Sequence, residues 1–373
     1  MPPLFEQLNP PRRLLLGPGP SEVSPEVLRV LATPLLGHLD PAFLGIMDEI
    51  MEGLRSLFGT RNRMTLPISG TGSAGMETAV SNLVEQGDRV VVGVAGYFGL
   101  RIAEMCRRRG AEVVKVEAPW GQPLDEDQME RAVAAGPTRA VAVVHAETST
   151  GVLQPLERIA AAARGAGALL MADTVTSLAG LPLDVDGTGI DASWSASQKC
   201  LSAPPGASPV TFSELAMERF RARRSEAPFW YLDLALLGGY WEGTGRVYHH
   251  TAPISTFYAL HEAIRLALEE GLEARWERHA AAGRALVDGA SAIGLEPFVD
   301  ERWRLPMLIT IRVPEGVDEK QVRGRLLDEE AIEIAGGLGP LAGKVWRVGL
   351  MGHSARTGNV ERLIAGLRRI LKR

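Results

Sequence analysis

From about residue 45 to residue 270 the hydrophobic pattern alternates between two periods. Stretches with apolar residues every three to four positions give way to short runs that are apolar on both faces. That alternation is expected when helices cover a mostly parallel sheet. The runs predict strands over 89–94, 112–116, 140–144, 169–172, 192–195 and 209–212, rich in Val, Leu and Ala as strands buried on both faces are. The longer period predicts helices over 74–84, 100–109, 125–134, 156–165 and 255–270, with Gly87, Gly110, Gly136 and Gly271 placed to close them in left-handed caps. After Gly271 the pattern changes to a long helix (273–293), a strand (307–313), a helix (318–328), a strand (345–349) and a final helix (359–371). The expected organisation is an N-terminal arm over 1–12, a large α/β unit over 13–270 and a smaller α+β unit over 271–373.

Composition narrows the class. With 373 residues, 46% hydrophobic and 23% charged, the chain has material for two packed units and a closed site between strand ends. Its 40 basic and 45 acidic residues leave a net charge of −5. The basic runs at Arg107–Arg109 and Arg221–Arg224 fall on helical patterns and read as solvated faces, so nothing argues for nucleic acid. Cys106 and Cys200 lack any CxxC spacing, which gives neither a disulfide framework nor a zinc knuckle. No apolar run approaches ~18 residues, and Met1–Glu6 has no charged lead or apolar signal core. Cytoplasm is the expected compartment, with no membrane partner.

Three segments carry candidate chemistry. Gly70-Thr71-Gly72-Ser73-Ala74-Gly75 satisfies GxGxxG, follows a short apolar run and opens a helix. A dinucleotide-dependent oxidoreductase is therefore a competing reading. That site would also want an acid closing the next strand, yet 89–94 runs into Ala95-Gly96-Tyr97-Phe98. What remains is a cradle for one phosphate, made of backbone N–H groups, the positive end of a helix, and the Thr71 and Ser73 hydroxyls. The second segment is the buried run Leu169–Ala172 ending in Asp173. The third is Ser195-Ala196-Ser197-Gln198-Lys199, which places a lysine just past another strand. Pyridoxal phosphate needs an amine for its imine, a carboxylate to keep its ring nitrogen protonated, and an anion cradle. Lys199, Asp173 and Thr71–Ser73 supply all three. For His249-His250, adjacent side chains on an extended segment point apart and no third ligand is evident, so no metal site is expected.

At these residues the sequence resembles the class V aminotransferases, most closely the alanine–glyoxylate and serine–pyruvate branch. The resemblance covers nearly the whole chain. It runs through Leu16-Gly17-Pro18-Gly19-Pro20, Ile46-Met47-Asp48-Glu49-Ile50, Ser69-Gly70-Thr71-Gly72, Glu147-Thr148-Ser149-Thr150-Gly151-Val152, Ser197-Gln198-Lys199, Tyr248-His249-His250-Thr251 and Gly336-Gly337-Leu338-Gly339-Pro340. It implies the pyridoxal-phosphate-dependent transferase fold of type I, with a mostly parallel seven-stranded sheet in its large domain. By resemblance, Lys199 is the Schiff-base lysine and Asp173 the pyridinium partner. Thr71, Gly72 and Gln198 hold the phosphate, beside Ser73 of the cradle read above, Ser149 lies near the ring hydroxyl, and Val175 packs on one ring face. Phe98 stands where the family often has tryptophan and would stack on the other face. Some members carry His at the position of Ser73. Tyr248 and Thr251 match positions that reach across a homodimer interface to the neighbour's phosphate. Arg347 matches the arginine that grips the substrate carboxylate, with Gly19 and Ser149 beside it.

The activity that the resemblance implies is ping-pong transamination between alanine or serine and glyoxylate or pyruvate, with Lys199 as proton shuttle. Gln198 before the lysine, and the lack of any cysteine after Cys200, argue against the related desulfurases. Another amino donor such as aspartate, or a non-catalytic subunit that keeps the fold, are the alternatives.

Overall fold

The computed structural model describes residue 5, residues 7–243 and residues 245–372. Residues 1–4 and 6 of the expected arm, Thr244 and Arg373 lie outside the described residues.

Seven strands form the main sheet: β1 (Met64–Ser69), β2 (Arg89–Val94), β3 (Glu112–Glu117), β4 (Ala140–Val144), β5 (Leu169–Asp173), β6 (Ala192–Trp194) and β7 (Ala207–Phe212). Their order is β1-β7-β6-β5-β4-β2-β3. The pairs β3–β2, β2–β4, β4–β5 and β5–β6 are parallel, whereas β7 is antiparallel to both neighbours. The fold is thus the type I α/β architecture. The reversal at β7 has a local cause: parallel strands need a crossover, usually a helix, and residues 195–206 contain none. The chain can only turn back on itself, and Lys199 sits in that return.

Because β7 alone is reversed, the C-terminal ends of β1, β2, β4, β5 and β6 meet along one edge. Gly72, Phe98, Ser149, Asp173 and Lys199 each follow one of those ends. Open α/β sheets place their functional groups there. The same topology disposes of the GxGxxG reading. Helix Gly72–Leu83 leaves the edge strand β1 and delivers the chain to β2, beyond β7, β6, β5 and β4. No adjacent parallel pair flanks the motif.

Helix boundaries shift where capping was misjudged. The helix expected over 100–109 spans Tyr97–Arg108 and begins after Gly96, which brings Phe98 into its first turn. Gly110 and Gly271 do take positive φ, at 78° and 82°, but Gly136 does not. Ala135 in right-handed geometry ends that helix instead. Gly87 turns the chain four residues beyond the helix end at Leu83. Arg223 is also not a solvated residue. Its Nη1 donates to the carbonyls of Ser81 and Asn82 (3.1 and 2.7 Å) at the C-terminal end of helix Gly72–Leu83, where a cation is favoured.

A second hydrophobic cluster backs a small antiparallel sheet, β8 (Leu308–Arg312), β9 (Ala335–Gly336) and β10 (Val345–Gly349), ordered β8-β10-β9. Helices Leu272–Ser291, Glu319–Glu330 and Thr357–Leu371 cover it through Leu286, Leu326 and Leu363. Leu14 and Leu16 belong to this cluster too, and Leu14–Leu15 pairs in parallel with Ile332–Glu333. The N-terminal segment therefore anchors here before crossing to the lysine loop.

Candidate active site

Four of the five lysines, Lys115, Lys320, Lys344 and Lys372, are exposed; Lys199, at 9% exposure, is buried. Its Nζ donates to the Pro18 carbonyl, and a Cβ built on Gly19 (φ 120°) would lie 2.7 Å from it. Only glycine fits there. The segment 18–21 is tied down around the lysine, since Ser21 N–H donates to the Gln198 carbonyl (2.9 Å) and Ser21 Oγ to that of Lys199 (2.7 Å). Burial first, and then the Arg347 charge, lower the Lys199 pKa to about 8. A lysine so placed loses its proton far more readily than one in water.

Asp173 closes β5 at 2% exposure. Oδ1 accepts from the Val175 N–H (2.9 Å), while Oδ2 is buried and makes no bond of regular geometry, the equally buried Trp194 indole N–H being near enough only to ease its charge. Desolvation raises its pKa to about 7. Unpaired buried carboxylate oxygens are rare and ask for a donor.

Thr71 is the N-cap of helix Gly72–Leu83 and makes no side-chain capping bond, which leaves its hydroxyl available. A Cβ on Gly72 would meet Ala196 at 3.0 Å and Val175 at 3.4 Å, so the helix start, the lysine loop and Val175 are in close contact. Ser73 is already engaged: Arg101 Nη1 donates to its Oγ at 3.0 Å, and the same guanidinium lies 5.0 Å from the Phe98 ring centroid and 5.4 Å from that of Tyr97. A half-buried cation thus stands at the anion cradle. The sequence reading missed Arg101, although it lies three residues after Phe98 on one helix face. Gln198 carries a buried amide oxygen without a partner; a flip of the amide would offer its N–H₂ there instead.

Glu147 was also missed as a site residue, although it is the one charge in an otherwise neutral quoted motif. It is buried, and its Oε1 accepts from both Ser149 N–H (3.0 Å) and Ser149 Oγ (2.5 Å). Ser149 Oγ in turn accepts from Tyr97 N–H (2.9 Å). The expected Ser149 hydroxyl is therefore oriented by Glu147 before any ligand arrives. Burial raises the Glu147 pKa. Arg347, on β10, is buried and donates through Nε to Gly336 O (2.8 Å) and through Nη1 to Thr148 O (3.1 Å). Desolvation lowers its pKa to about 10, with Glu147 the nearest opposing charge.

Tyr248 and Thr251 are exposed, their hydroxyls 3.4 Å apart. His249 and His250 do not point apart as expected. They lie on an irregular segment, and their rings meet edge to face with Nδ1···Nδ1 at 2.7 Å. Cys200 is packed under the lysine loop, its thiol pushed up to about 12 by burial, which suits a structural residue rather than a nucleophile.

Five strand ends thus converge on a buried lysine, an unpaired carboxylate, a helix N-terminus and a held arginine, the equipment of a cofactor-dependent aminotransferase. The chain belongs to the class V aminotransferases: the family model "Aminotransferase class-V" matches residues 31–356. More particularly, it is 41% identical to the (S)-ureidoglycine–glyoxylate transaminase of Bacillus subtilis (strain 168), over 98% of this chain and 92% of that one. It is 40% identical to the alanine–glyoxylate aminotransferase of Mus musculus, over 99% and 90%. The solved alanine–glyoxylate aminotransferase of Nostoc sp. superposes with a TM-score of 0.97 at 50% identity, covering 98% of this chain and 97% of that one. The protein is an enzyme of this family; the oxidoreductase reading falls with that membership, and relatives named for transamination over nearly the whole chain do not favour the non-catalytic one.

The family implies pyridoxal phosphate, and the residues present fit it. The Asp173 oxygen without a regular partner suits a ring N–H, the free Thr71 hydroxyl and the helix start suit an anion, the buried lysine feels the Asp173 charge, and its loop packs on the helix start through Ala196.

Proposed function

We propose that this aminotransferase moves the amino group of alanine or serine to glyoxylate or pyruvate by alternating half-reactions on pyridoxal phosphate. Burial of Lys199 beside Asp173 and Arg347 is the observation that carries this reading. Relatives named for glyoxylate, across organisms as distant as Bacillus subtilis and Mus musculus, support the acceptor. The cofactor, when bound, withdraws electrons from the substrate Cα and makes its proton removable.

The chain's own residues do the rest. Arg347 binds the substrate carboxylate with its guanidinium fork, already fixed in place by Gly336 and Thr148. Asp173 would supply the negative charge that keeps the ring nitrogen protonated, and that N–H would give its Oδ2 a partner. Thr71, Gly72, Ser73 and Gln198 hold the phosphate, with Arg101 adding charge through Ser73. Val175 and Phe98 would pack against the ring, and Glu147 orients the Ser149 hydroxyl that would lie near it. Lys199 Nζ takes and returns the proton; a pKa near 8 leaves a substantial fraction neutral at working pH. Pro18 and Gly19 lie directly against Nζ and fix where it stands.

The working unit is read as a homodimer in the cytoplasm. Tyr248, Trp230, Tyr231 and Tyr97 are exposed, and rings of the 230–231 and 248–250 segments adjoin one another, as at an interface core. No helix among the described residues is long and apolar enough to cross a membrane. The division into a cofactor unit over 13–270 and a smaller unit over 271–373 is likewise part of the proposal, with Leu14 and Leu16 serving as the N-terminal link between the two clusters.

A panel of single amino acids added to cofactor-loaded enzyme tests the reading. Alanine or serine should convert the bound cofactor to its amine form in one turnover, and glyoxylate should reverse it. Conversion by aspartate alone would overturn the assignment of the donor.

A further inference from the structure

The segment that carries Tyr248 and Thr251 has no regular secondary structure from Gly245 to Pro253, so no ladder of backbone bonds fixes it. Arg246, on Leu44 O and Asp48, and Val247 N–H, on Gly239 O, hold its first part, and the inward-facing histidines hold the part next to Tyr248 and Thr251. His249 is 5% exposed, lies stacked on Trp230 (centroids 4.4 Å, 15° between planes), and its Nε2 is 3.4 Å from the Trp230 carbonyl. Its Nδ1 meets His250 Nδ1 at 2.7 Å, and His250 Nε2 meets Ser69 Oγ at 2.7 Å.

One tautomer assignment satisfies all three contacts with both rings neutral. A carbonyl can only accept, so His249 Nε2 carries the proton and its Nδ1 accepts from His250 Nδ1–H. His250 Nε2 then accepts from the Ser69 hydroxyl. Burial lowers the His250 pKa to about 4, with His249 and His38 adding to the effect, consistent with a neutral His250 ring. Ser69 is the last residue of β1, and Gly70-Thr71-Gly72 follow it directly. The relay therefore ties the two residues between Tyr248 and Thr251 to the strand end that opens the chain's own phosphate cradle.

We propose that His249 and His250 are positioning residues that hold Tyr248 and Thr251 toward the phosphate of the neighbouring subunit while anchoring them to the chain's own cradle at Ser69. This rests on the cross-subunit reading given above. In a twofold dimer each histidine pair then stands between two cofactor sites, and loosening one loop weakens the phosphate grip of the other chain.

The test is a double-mutant cycle on pyridoxal phosphate affinity, read by equilibrium dialysis with the full-length dimer. Ser69→Ala, His250→Ala and the ring-preserving His250→Phe should each raise the cofactor Kd, His250→Ala by roughly tenfold, which is 1.4 kcal/mol. Sedimentation should show unchanged dimers. On a Tyr248→Phe/Thr251→Ala background, His250→Ala should add less than about twofold, because the hydroxyls it positions are gone. A full tenfold effect on both backgrounds, or an unchanged Kd in all three single variants, overturns the proposal. Mixing Lys199→Ala chains with Tyr248→Phe/Thr251→Ala chains tests the underlying dimer reading separately. Hybrids should regain one high-affinity site per dimer. If they do not, the hydroxyls act within one chain and the proposal falls with that reading, whatever the histidine variants do.

Discussion

Burial displaces the ionisation of Asp173 far from that of an aspartate in water. Its carboxyl is held near pH 7 in the cofactor-free fold, against 3.8 for an ordinary aspartate. A raised acid pKa means that the folded state keeps its proton longer. The stabilisation is fully present below about pH 4 and is lost as pH rises toward 7. Cofactor-free wild type should therefore lose on the order of a few kcal/mol from this group between those limits. Asp173→Asn should remove that slope and be the more stable of the two at pH 8, while binding pyridoxal phosphate more weakly. Urea unfolding of both proteins at pH 5 and pH 8 checks this, and parallel slopes would contradict it. Lys199 is shifted the opposite way, from 10.5 down to about 8. Its conserving variant Lys199→Arg keeps charge but cannot act as nucleophile near neutral pH, and turnover should fall by at least ~10²-fold in a steady-state assay.

Among the elements, helix Tyr97–Arg108 is the one on which the site depends most heavily. It presents Phe98 and Arg101, and its N-terminus faces the Glu147–Ser149 pair. A Cβ on Gly96 would lie 2.6 Å from Glu147 Cγ and Cδ. Gly96→Ala should cost about 1–3 kcal/mol from overpacking and weaken cofactor binding together with it; a melt of the loaded enzyme with unchanged Tm would contradict this. The strands of the sheet were legible in the sequence because valine runs such as Arg89–Val94 and Ala140–Val144 are apolar on both faces. Asp173 and Lys199 were legible because each follows such a run. The reversed direction of β7 was not, since a strand's direction leaves no mark on its own residues and follows only from the helix-free return at 195–206. Glu147 and Arg101 escaped for a related reason: each acts on another residue, Ser149 or Ser73, brought near by a different strand end. The relation of His249 to His250 was misread because an extended backbone was assumed where the chain is irregular.

Seen across the whole molecule, the N-terminal segment binds the two hydrophobic clusters to the lysine. Leu16 is fully buried in the second cluster, and three residues later Gly19 lies against Lys199 Nζ. Leu16→Ala should cost about 2–5 kcal/mol by cavity formation, measured as a shift in unfolding midpoint. Arg347 reaches toward the same centre from β10, so the guanidinium and the lysine come from the two different units of the chain. Everything in this arrangement converges on one covalent assignment. Borohydride reduction of the cofactor-loaded enzyme, followed by peptide mass mapping, should place a single pyridoxyl group on Lys199 and none on Lys115, Lys320, Lys344 or Lys372. A pyridoxyl group on any of those four, or none on Lys199, would contradict it.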